Sequence, residues 1–468
     1  MSEGYKELKK QLLTVKKNGY DRISDAARAS MENYCAGYID FLNRSKTERL
    51  CAAEAIRMAQ EHGYRPYVSG KHGLPGDKFY VCNRGKAVML VHVGRRPLYE
   101  GIQLAAAHID SPRLDLKPNP LYEEGELAFF KTHYYGGIRK YQWVTIPLEL
   151  HGVVALKNGT VLQVNIGAEP GDPKLVITDL LPHLGQEQGK KPLSTAIPAE
   201  TLNLLVGSRP IGDEDDSGRV KLAVMQLLNE KYGITEDDFN SAELEAVPAS
   251  PACEIGLDRS MIGSYGHDDR VCAYAVLKAL LDLSEAPEKT AVCMLADKEE
   301  IGSEGVTGMR SAAFDALMED LCASQHIAPR AWREKSFCLS ADVTAAFDPD
   351  YADVYDKRNA SYLNYGVGLC KYTGARGKSG ASDADAETVA FVRRVFDEAG
   401  VIWQIAELGK VDAGGGGTVA AYMAQRNITT LDAGVPVLSM HAPFETVAKL
   451  DCYQMYKGAL ALYRAVFQ

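Results

Sequence analysis

The stretch Ala296-Asp-Lys-Glu-Glu-Ile-Gly-Ser-Glu-Gly305 places two adjacent carboxylates, Glu299 and Glu300, in a glycine-containing turn. It follows Thr290-Ala-Val-Cys-Met-Leu295, a short apolar run typical of a buried strand in a parallel sheet. Ionised carboxylates beside a protein core are unfavourable unless a cation or a hydrogen-bond donor meets them. The stretch therefore predicts a cation-binding loop at the end of a strand or, alternatively, a solvated loop before a helix.

Histidines and carboxylates recur at the ends of several other apolar runs. The predicted strand 102–108, for example, ends shortly before Pro112, because proline cannot donate to a β-ladder. The full set of such residues is His108, Asp110, Asp268, Glu299, Glu300, Asp342 and His441. Ligand sites in open α/β sheets lie at the carboxyl ends of the strands, so we expect these side chains to lie close together.

The donor types of this set predict a metal site. Two imidazoles and several carboxylates without a thiolate suit zinc, with cobalt or manganese as alternatives. Five of these groups are sufficient for a pair of metal ions, and one carboxylate remains as a general base. The residue types alone do not assign each side chain to a particular ion.

Each residue also has an ordinary structural explanation. A single histidine at a strand end is commonly a satisfied core or surface residue. The pair Asp268-Asp269 can cap the helix that follows it, and Asp342 can form a turn after its strand. The metal hypothesis rests on the recurrence of all these residues at strand ends.

Length and composition describe a folded protein with two domains. The chain has 468 residues, of which 46% are hydrophobic and 24% charged. A net charge of -10 without a basic stretch argues against nucleic-acid binding. The polar start and the lack of a run of about 18 apolar residues argue against a signal peptide and a membrane span. Ten scattered cysteines without a Cys-x-x-Cys pair predict reduced thiols in the cytoplasm.

The order of apolar patterns predicts an α/β fold with an insertion. Helical patterns fill the first ~65 residues, and strands and helices then alternate. Residues 118–251 differ, because they contain a hairpin signal at Lys157-Asn-Gly159, a strand-like run at 174–178 and an amphipathic helix near 220–228. We therefore predict a catalytic domain formed by residues 1–117 and 252–468, interrupted by a β-rich domain of residues 118–251.

Five motifs in this order resemble those of the aspartyl aminopeptidase family, the eighteenth family of metallopeptidases, and most of all its bacterial branch. They are His108-Ile-Asp110, Asp268-Asp-Arg270, Glu299-Glu-Ile-Gly-Ser303, Ser340-Ala-Asp342 and Ser439-Met-His-Ala-Pro-Phe-Glu445. The resemblance covers essentially the whole chain. It implies a zinc-peptidase-like mixed sheet flanked by helices, with an inserted β-rich oligomerisation domain. It also implies an enzyme that removes amino-terminal residues from peptides, and dimers that assemble into a tetrahedral dodecamer.

The resemblance further implies a role for each site residue. The ligands of two divalent ions would be His108 and Asp342 for one ion, Glu300 and His441 for the other, and Asp268 as the bridge. Glu299 would be the general base, and Asp110 would orient His108. The peptide bond between Asp268 and Asp269 would be cis.

The sequence departs from the family where substrate choice is expected to lie. Many relatives carry two histidines and an asparagine shortly after the Ser-Ala-Asp motif, where this chain has Ala345, Asp348 and Asp350. A preference for an amino-terminal Asp or Glu is therefore open, and it would need a cation in the pocket. The candidate cations are Lys371, Arg376 and Lys378, whose glycine-rich segment can alternatively be an exposed basic loop.

Two further features are expected to border the site. Gly414-Gly-Gly-Gly417 lacks the Lys and Ser/Thr of a phosphate loop, so close approach of the backbone to a peptide substrate is the better interpretation. His183 is the nearest match to a histidine that relatives lend to the active site of a neighbouring subunit.

Two other functions remain open from the sequence. A related two-metal amidohydrolase or deacylase would share the core but would not need a free α-amine. A catalytically silent assembly scaffold would be favoured by the loss of a ligand or of Glu299, yet all of these residues are present.

Overall fold

The computed structural model of the protein describes residues 3–71 and 73–467. The helices of this part are α1 Glu3–Leu12, α2 Asp25–Arg44, α3 Glu48–Glu61, α4 Gln186–Gly189, α5 Leu193–Ala196, α6 Arg219–Tyr232, α7 His267–Leu281, α8 Ala313–Ser324, α9 Ala386–Glu398, α10 Ala420–Ala424 and α11 Lys449–Arg464. The first strands are β1 Arg65–Pro66, β2 Lys78–Asn83, β3 Ala87–His92, β4 Ile102–His108, β5 Arg113–Glu124, β6 Leu127–Tyr135, β7 Leu148–Ala155, β8 Val161–Ile166, β9 Leu204–Gly207 and β10 Ala242–Pro248. The remaining strands are β11 Cys253–Ile255, β12 Met261–Ser264, β13 Thr290–Ala296, β14 Phe337–Ala341, β15 Thr344–Ala345, β16 Val367–Cys370, β17 Trp403–Ile405, β18 Thr429–Gly434, β19 Pro436–Leu438 and β20 Glu445–Ala448.

The apolar runs lie side by side in one mixed sheet with the order β1-β2-β3-β13-β4-β14-β18-β16-β17. Its central strands β13, β4, β14 and β18 are parallel, whereas β3 and β16 pair antiparallel with β13 and β18. Every residue of β3, β4, β13 and β14 is buried, which explains their nearly continuous apolar sequences. The predicted α/β class with a mixed sheet is confirmed.

Helices cover both faces of this sheet. Alternate residues of β13 join different hydrophobic clusters, because successive side chains of a strand point to opposite faces. Cys293 packs in the cluster that includes α2, α3, α7, α9 and α11, and Met294 packs in the cluster that includes α8 and α10. The sheet is therefore the middle layer between two helical layers.

The register of the central strands brings the predicted site residues to one edge. Ala296, the last residue of β13, pairs with His108, the last residue of β4. On the other side of β4, β14 ends at Ala341. The chain that leaves each of these parallel strands therefore carries its polar residues to the same place.

A small sheet of order β11-β12-β20-β19-β15 positions the two motifs that the central sheet does not carry. Strand β12 leads into α7, which begins at the Asp268 motif. Ser264 of β12 pairs with Glu445 of β20, and the loop between β19 and β20 carries His441. This pairing brings two segments that are far apart in sequence next to each other.

A separate antiparallel sheet, of order β8-β7-β10-β5-β6-β9, uses only strands between Arg113 and Pro248. It has its own hydrophobic cluster, to which α6 contributes. The hairpin predicted at Lys157–Gly159 joins β7 and β8. We propose that residues 118–251 form an inserted domain, a division that this separate sheet and core support.

The strand predicted at 174–178 is wrong. Leu175 and Val176 form only isolated bridges, the first to Leu148 of β7 and the second to Leu205 of β9. A ladder needs consecutive bridges to the same strand, and this segment makes one bridge to each neighbour.

Two general expectations can be compared with the described residues. All ten cysteines are free, and eight of them are buried. Within residues 3–71 and 73–467, the helices are too short or too polar to cross a lipid bilayer.

Candidate metal centre

Asp110 organises the loop that carries the paired glutamates. It is fully buried two residues after β4, and its carboxylate accepts hydrogen bonds from the N–H groups of Glu299 and Glu300, both at 3.1 Å. These N–H groups begin a short 3-10 helix, Glu299–Ile301, whose first donors have no partner within the helix. Asp110 therefore fixes the turn from which both glutamate side chains project.

His108 is held through one ring nitrogen and faces carboxylates with the other. Its Nδ1 lies 3.0 Å from the carbonyl oxygen of Asp110 and 3.3 Å from the carboxylate of that residue. Its Nε2 lies 3.0 Å from Asp268 Oδ1 and 3.8 Å from Asp342 Oδ1. This is the arrangement of a metal-binding imidazole that is oriented through its far nitrogen.

His441 repeats this arrangement on the other side of Asp268. Its Nε2 lies 3.1 Å from Asp268 Oδ2 and 3.5 Å from Glu300 Oε2. Its Nδ1 lies 2.8 Å from the carbonyl oxygen of Gly137. The two carboxylate oxygens of Asp268 thus face the Nε2 atoms of two different histidines.

The backbone of Asp268 is fixed by two side chains. Its N–H donates to Glu445 Oε2 at 3.1 Å, and its carbonyl accepts from Ser111 Oγ at 2.7 Å. The other oxygen of Glu445 accepts from the N–H of His441 at 2.6 Å. Glu445 therefore connects the Asp268 turn to the histidine loop. The peptide bond between Asp268 and Asp269 is cis, as expected from the resemblance.

The structure thus brings together all seven residues that the strand-end pattern selected. Ligand atoms of six of them, all but Asp110, form three groups with Asp269 in which all atoms lie within 4.8 Å of one another: His108, Glu299 and Glu300; His108, Asp269 and Asp342; and Asp268, Glu300 and His441. Asp269 is an addition to the predicted set.

The electrostatics of the cluster fit divalent cations. Burial and the nearby Asp268 carboxylate raise the pKa of Glu299 to about 7, and burial with neighbouring carboxylates also raises the pKa values of Glu300 and Asp342. Burial disfavours the imidazolium of His441, but Asp268 and Glu300 outweigh burial and raise its pKa to about 10. Glu300 Oε1 is buried without a hydrogen-bond partner among the described residues. This excess of negative charge, with nitrogen and oxygen donors, suits zinc.

A cavity of about 820 Å³ opens above this cluster. Its floor contains Asp268, Glu299, Glu300, Asp342 and His441. Its wall includes Gly414–Gly417 and part of the segment 371–380, whose backbones touch: Gly374 N–H donates to Gly416 O at 2.6 Å. A Cβ at Gly415 would lie only 2.3 Å from Gly374 O, so this contact requires glycine. Two glycine-rich segments in direct backbone contact therefore form part of the cavity wall.

The candidate substrate-binding residues divide into two sets. Arg376 and Lys378 line the cavity, and both are exposed. Lys371 is absent from the cavity lining and forms an ion pair with Asp383 at 3.2 Å. His183 lies in the segment that forms the six-stranded sheet. It is exposed and does not line the cavity of its own chain.

Known proteins resemble this chain over most of its length. Residues 41–467 match the family model for aminopeptidase I zinc metalloproteases, M18. The chain belongs to the M18 aminopeptidase family. It is accordingly a metallo-aminopeptidase, and the resemblance drawn from the five motifs is confirmed.

Bacterial M18 aminopeptidases are similar over nearly the full length. A probable M18 family aminopeptidase 1 of Clostridium acetobutylicum is 46% identical over 455 residues, which cover 96% of this chain and 98% of that protein. The crystal structure of an M18 family aminopeptidase from Thermotoga maritima matches with a TM-score of 0.92 at 44% identity, covering 96% of this chain and 99% of that one. Aminopeptidase I of C. acetobutylicum matches with a TM-score of 0.90 at 44% identity, covering 97% and 100% of the two chains.

Sequence reasoning missed several residues of this M18 site. Glu445 stands four residues after His441 in a motif that was recognised, so its spacing was a usable signal. Asp269 is adjacent to Asp268, but only the backbone geometry brings it into the cluster. Tyr135 and Gly137 lie in the segment expected to form a separate domain, and no local pattern connects them to the site.

Proposed function

We propose that this M18 aminopeptidase hydrolyses the first peptide bond of peptides with a free amino terminus, using a pair of divalent ions. Zinc is the preferred ion, with cobalt or manganese as alternatives. One observation carries the proposal: Asp268 lies 3.0 Å from His108 Nε2 through one oxygen and 3.1 Å from His441 Nε2 through the other. The proposed ligands are His108 and Asp342 for one ion, Glu300 and His441 for the other, and Asp268 between them.

Glu299 is the proposed general base. When bound, the ions supply Lewis acidity, which favours attack of water on the peptide carbonyl. Glu299 faces the cavity with its side chain 19% exposed, which leaves its carboxylate open to water and to the substrate. It takes a proton from the attacking water as the new C–O bond forms. It then gives that proton to the amine nitrogen as the C–N bond breaks.

Asp110 is proposed to act through its neighbours. Its contacts with His108 Nδ1 and with the N–H groups of Glu299 and Glu300 hold one ligand, the base and a second ligand in a fixed relation. Pre-organisation of this kind lowers the barrier because the groups need no reordering during the reaction.

The function is tested by comparing free and acetylated substrates. Aminoacyl reporters should be cleaved by protein reconstituted with zinc, cobalt or manganese, and amino-terminal acetylation should lower kcat/KM by about 10²-fold or more. We expect this loss because the carboxylate-rich floor accepts hydrogen bonds from an α-amine, whereas an acetyl group fills that space. Equal rates on both reporters would instead favour an amidohydrolase or deacylase, and no turnover of either would favour a silent scaffold.

We propose that acidic amino-terminal residues are preferred. Arg376 and Lys378 support this because they line the cavity and lie within its glycine-rich segment 371–380. Replacing both with glutamine should lower kcat/KM for a glutamyl reporter by about tenfold while leaving an alanyl reporter nearly unchanged.

Lys371→Gln is the matched control for this specificity prediction. Lys371 and Lys378 both pair with Asp383, at 3.2 and 3.1 Å, but only Lys378 lines the cavity. The control should therefore behave like the wild type. An equal loss on glutamyl and alanyl reporters in the double variant would contradict a specificity role.

We propose a homo-oligomer, a dodecamer built from dimers, with contacts through the inserted domain. Its helix α6 exposes Leu222 by 61% and Leu227 by 66%, and Leu181 and Leu184 are also exposed, as is typical of an interface. His183 lies in that second segment, so we retain it as a residue lent to a neighbouring site. Sedimentation velocity tests this assembly, and a monomer would contradict it.

The proposed compartment is the cytoplasm, because ten free cysteines are typical of a reducing environment.

A further inference from the structure

The end of strand β6 contacts the metal centre through three successive residues. These residues, Tyr135, Gly136 and Gly137, are called the β6 tail here. Tyr135 ends β6 of the six-stranded sheet and the two glycines follow it, whereas the proposed ligands are positioned by the other two sheets. The contacts therefore connect the two sheets directly at the site.

Tyr135 holds Asp110 from behind. Its hydroxyl donates to Asp110 Oδ2 at 2.8 Å, the same oxygen that accepts from the N–H of Glu300. The side chain is buried, and burial together with the Asp110 carboxylate raises the pKa of Tyr135, so the hydroxyl keeps its proton. Asp110 is thus fixed by the β6 tail on one side and by the glutamate loop on the other.

Gly137 fixes the proton position of His441. Its carbonyl oxygen lies 2.8 Å from His441 Nδ1, and a carbonyl can only accept a hydrogen bond. The imidazole proton of the neutral ring is therefore on Nδ1, which leaves the lone pair of Nε2 directed at Asp268 and Glu300. This is the tautomer that a metal ligand requires.

The two glycines of the β6 tail lie in tight space against the site. Gly136 has φ +73°, and a Cβ there would lie 3.2 Å from Glu300 Cβ and 3.4 Å from its Oε2. A Cβ on Gly137 would lie 3.2 Å from His441 Nδ1. The tail therefore lies directly against two of the proposed metal ligands.

Ion pairs anchor the β6 tail in the six-stranded sheet. The guanidinium carbon of Arg113 lies 3.9 Å from the centre of the Tyr135 ring. Arg113 pairs with Asp115 at 2.8 Å, with Glu245 of β10 at 3.2 Å and with Glu48 of α3 at 3.5 Å. The position of the tyrosine is thus set by strands β5 and β10 as well as by β6.

We propose that the β6 tail is a positioning element, through which the six-stranded sheet sets the orientation of Asp110 and His441 and hence the affinity of the centre for its metal ions. The inference rests on the proposed metal centre. Tyr135 and Gly137 act through other residues, so their effect should appear in metal affinity and in kcat, while KM stays near its wild-type value.

The first test is the zinc affinity of Tyr135→Phe, measured by competition with a chelator. The variant keeps the ring over Arg113 and removes only the hydrogen bond to Asp110. We expect zinc affinity to fall between about 10-fold and 100-fold, as for other partners of metal ligands. The control is Tyr232→Phe, which removes a hydroxyl of α6 that donates to Asn165 O of β8 at 2.6 Å, and neither residue belongs to the ligand cluster.

Gly137→Ala provides a second test in case one variant folds poorly. Its new methyl group should displace His441 and weaken zinc binding, whereas Gly189→Ala, where a Cβ meets no atom within 4 Å, should not. Thermal unfolding of the metal-free proteins shows whether each variant is folded. If wild-type protein binds two zinc ions and both Tyr135→Phe and Gly137→Ala bind them equally tightly, the positioning inference is overturned while the centre stands. A wild-type protein that binds no zinc overturns the centre and the inference with it.

Discussion

Replacing Asp268 with alanine is expected to remove both metal ions together and to reduce peptidase activity to background. Each carboxylate oxygen of Asp268 faces a different histidine, so the single change removes one ligand from each proposed ion. Zinc in a four-ligand site is bound by roughly 10–16 kcal/mol, so one ligand corresponds to roughly 3–4 kcal/mol, or about 10² to 10³-fold in affinity. Metal analysis after dialysis against a weak chelator measures the effect.

The variant should still fold, because the fixed contacts of residue 268 use its backbone. Glu445 accepts from its N–H, and Ser111 donates to its carbonyl, and alanine keeps both groups. Asp342→Ala is the matched comparison. Of the two histidines, His108 is the one near the Asp342 carboxylate, so its loss should weaken the binding of one ion only. Two ions per chain retained by Asp268→Ala would contradict the bridging role.

The sequence was sufficient to locate most of the ligand cluster because His108, Glu299, Glu300 and Asp342 follow the ends of parallel strands. Apolar runs identified β4, β13 and β14, and parallel strands place their carboxyl ends at one edge of a sheet. In the structure, His108 at the end of β4 pairs in register with Ala296 at the end of β13. These residues could thus be predicted to lie close together without knowing the order of the strands in the sheet.

The outer partners could not be predicted in the same way. Tyr135 and Gly137 reach the site because β6 ends beside Asp110, a placement set by contacts between two sheets rather than by hydrophobic periodicity. Gly137 also acts through its backbone carbonyl, a group that every residue possesses and that leaves no mark in the sequence. The run 174–178 has the composition of a strand, but it makes only one bridge to each neighbouring strand.

Replacing Glu299 with glutamine is expected to keep both metal ions and to lower kcat by about 10² to 10⁴-fold. Glutamine has nearly the same shape, and the N–H of residue 299 keeps its hydrogen bond to Asp110, so the loop should stay in place. The amide, however, cannot take a proton from water at neutral pH or return one to the leaving amine. Single-turnover kinetics with a zinc-loaded variant measure this loss.

Comparison with the neighbouring variant Glu300→Gln distinguishes the role of a general base from that of a metal ligand. Glu300 Oε2 lies 3.5 Å from His441 Nε2, and its side chain is 4% exposed, whereas that of Glu299 is 19% exposed and faces the cavity. Glu300→Gln should therefore weaken zinc binding, and added zinc should restore part of its activity. Glu299→Gln should not respond to zinc, because its defect is in proton transfer. Near-normal turnover by Glu299→Gln, or its rescue by zinc, would exclude Glu299 as the base and leave the proton to another carboxylate of the cluster.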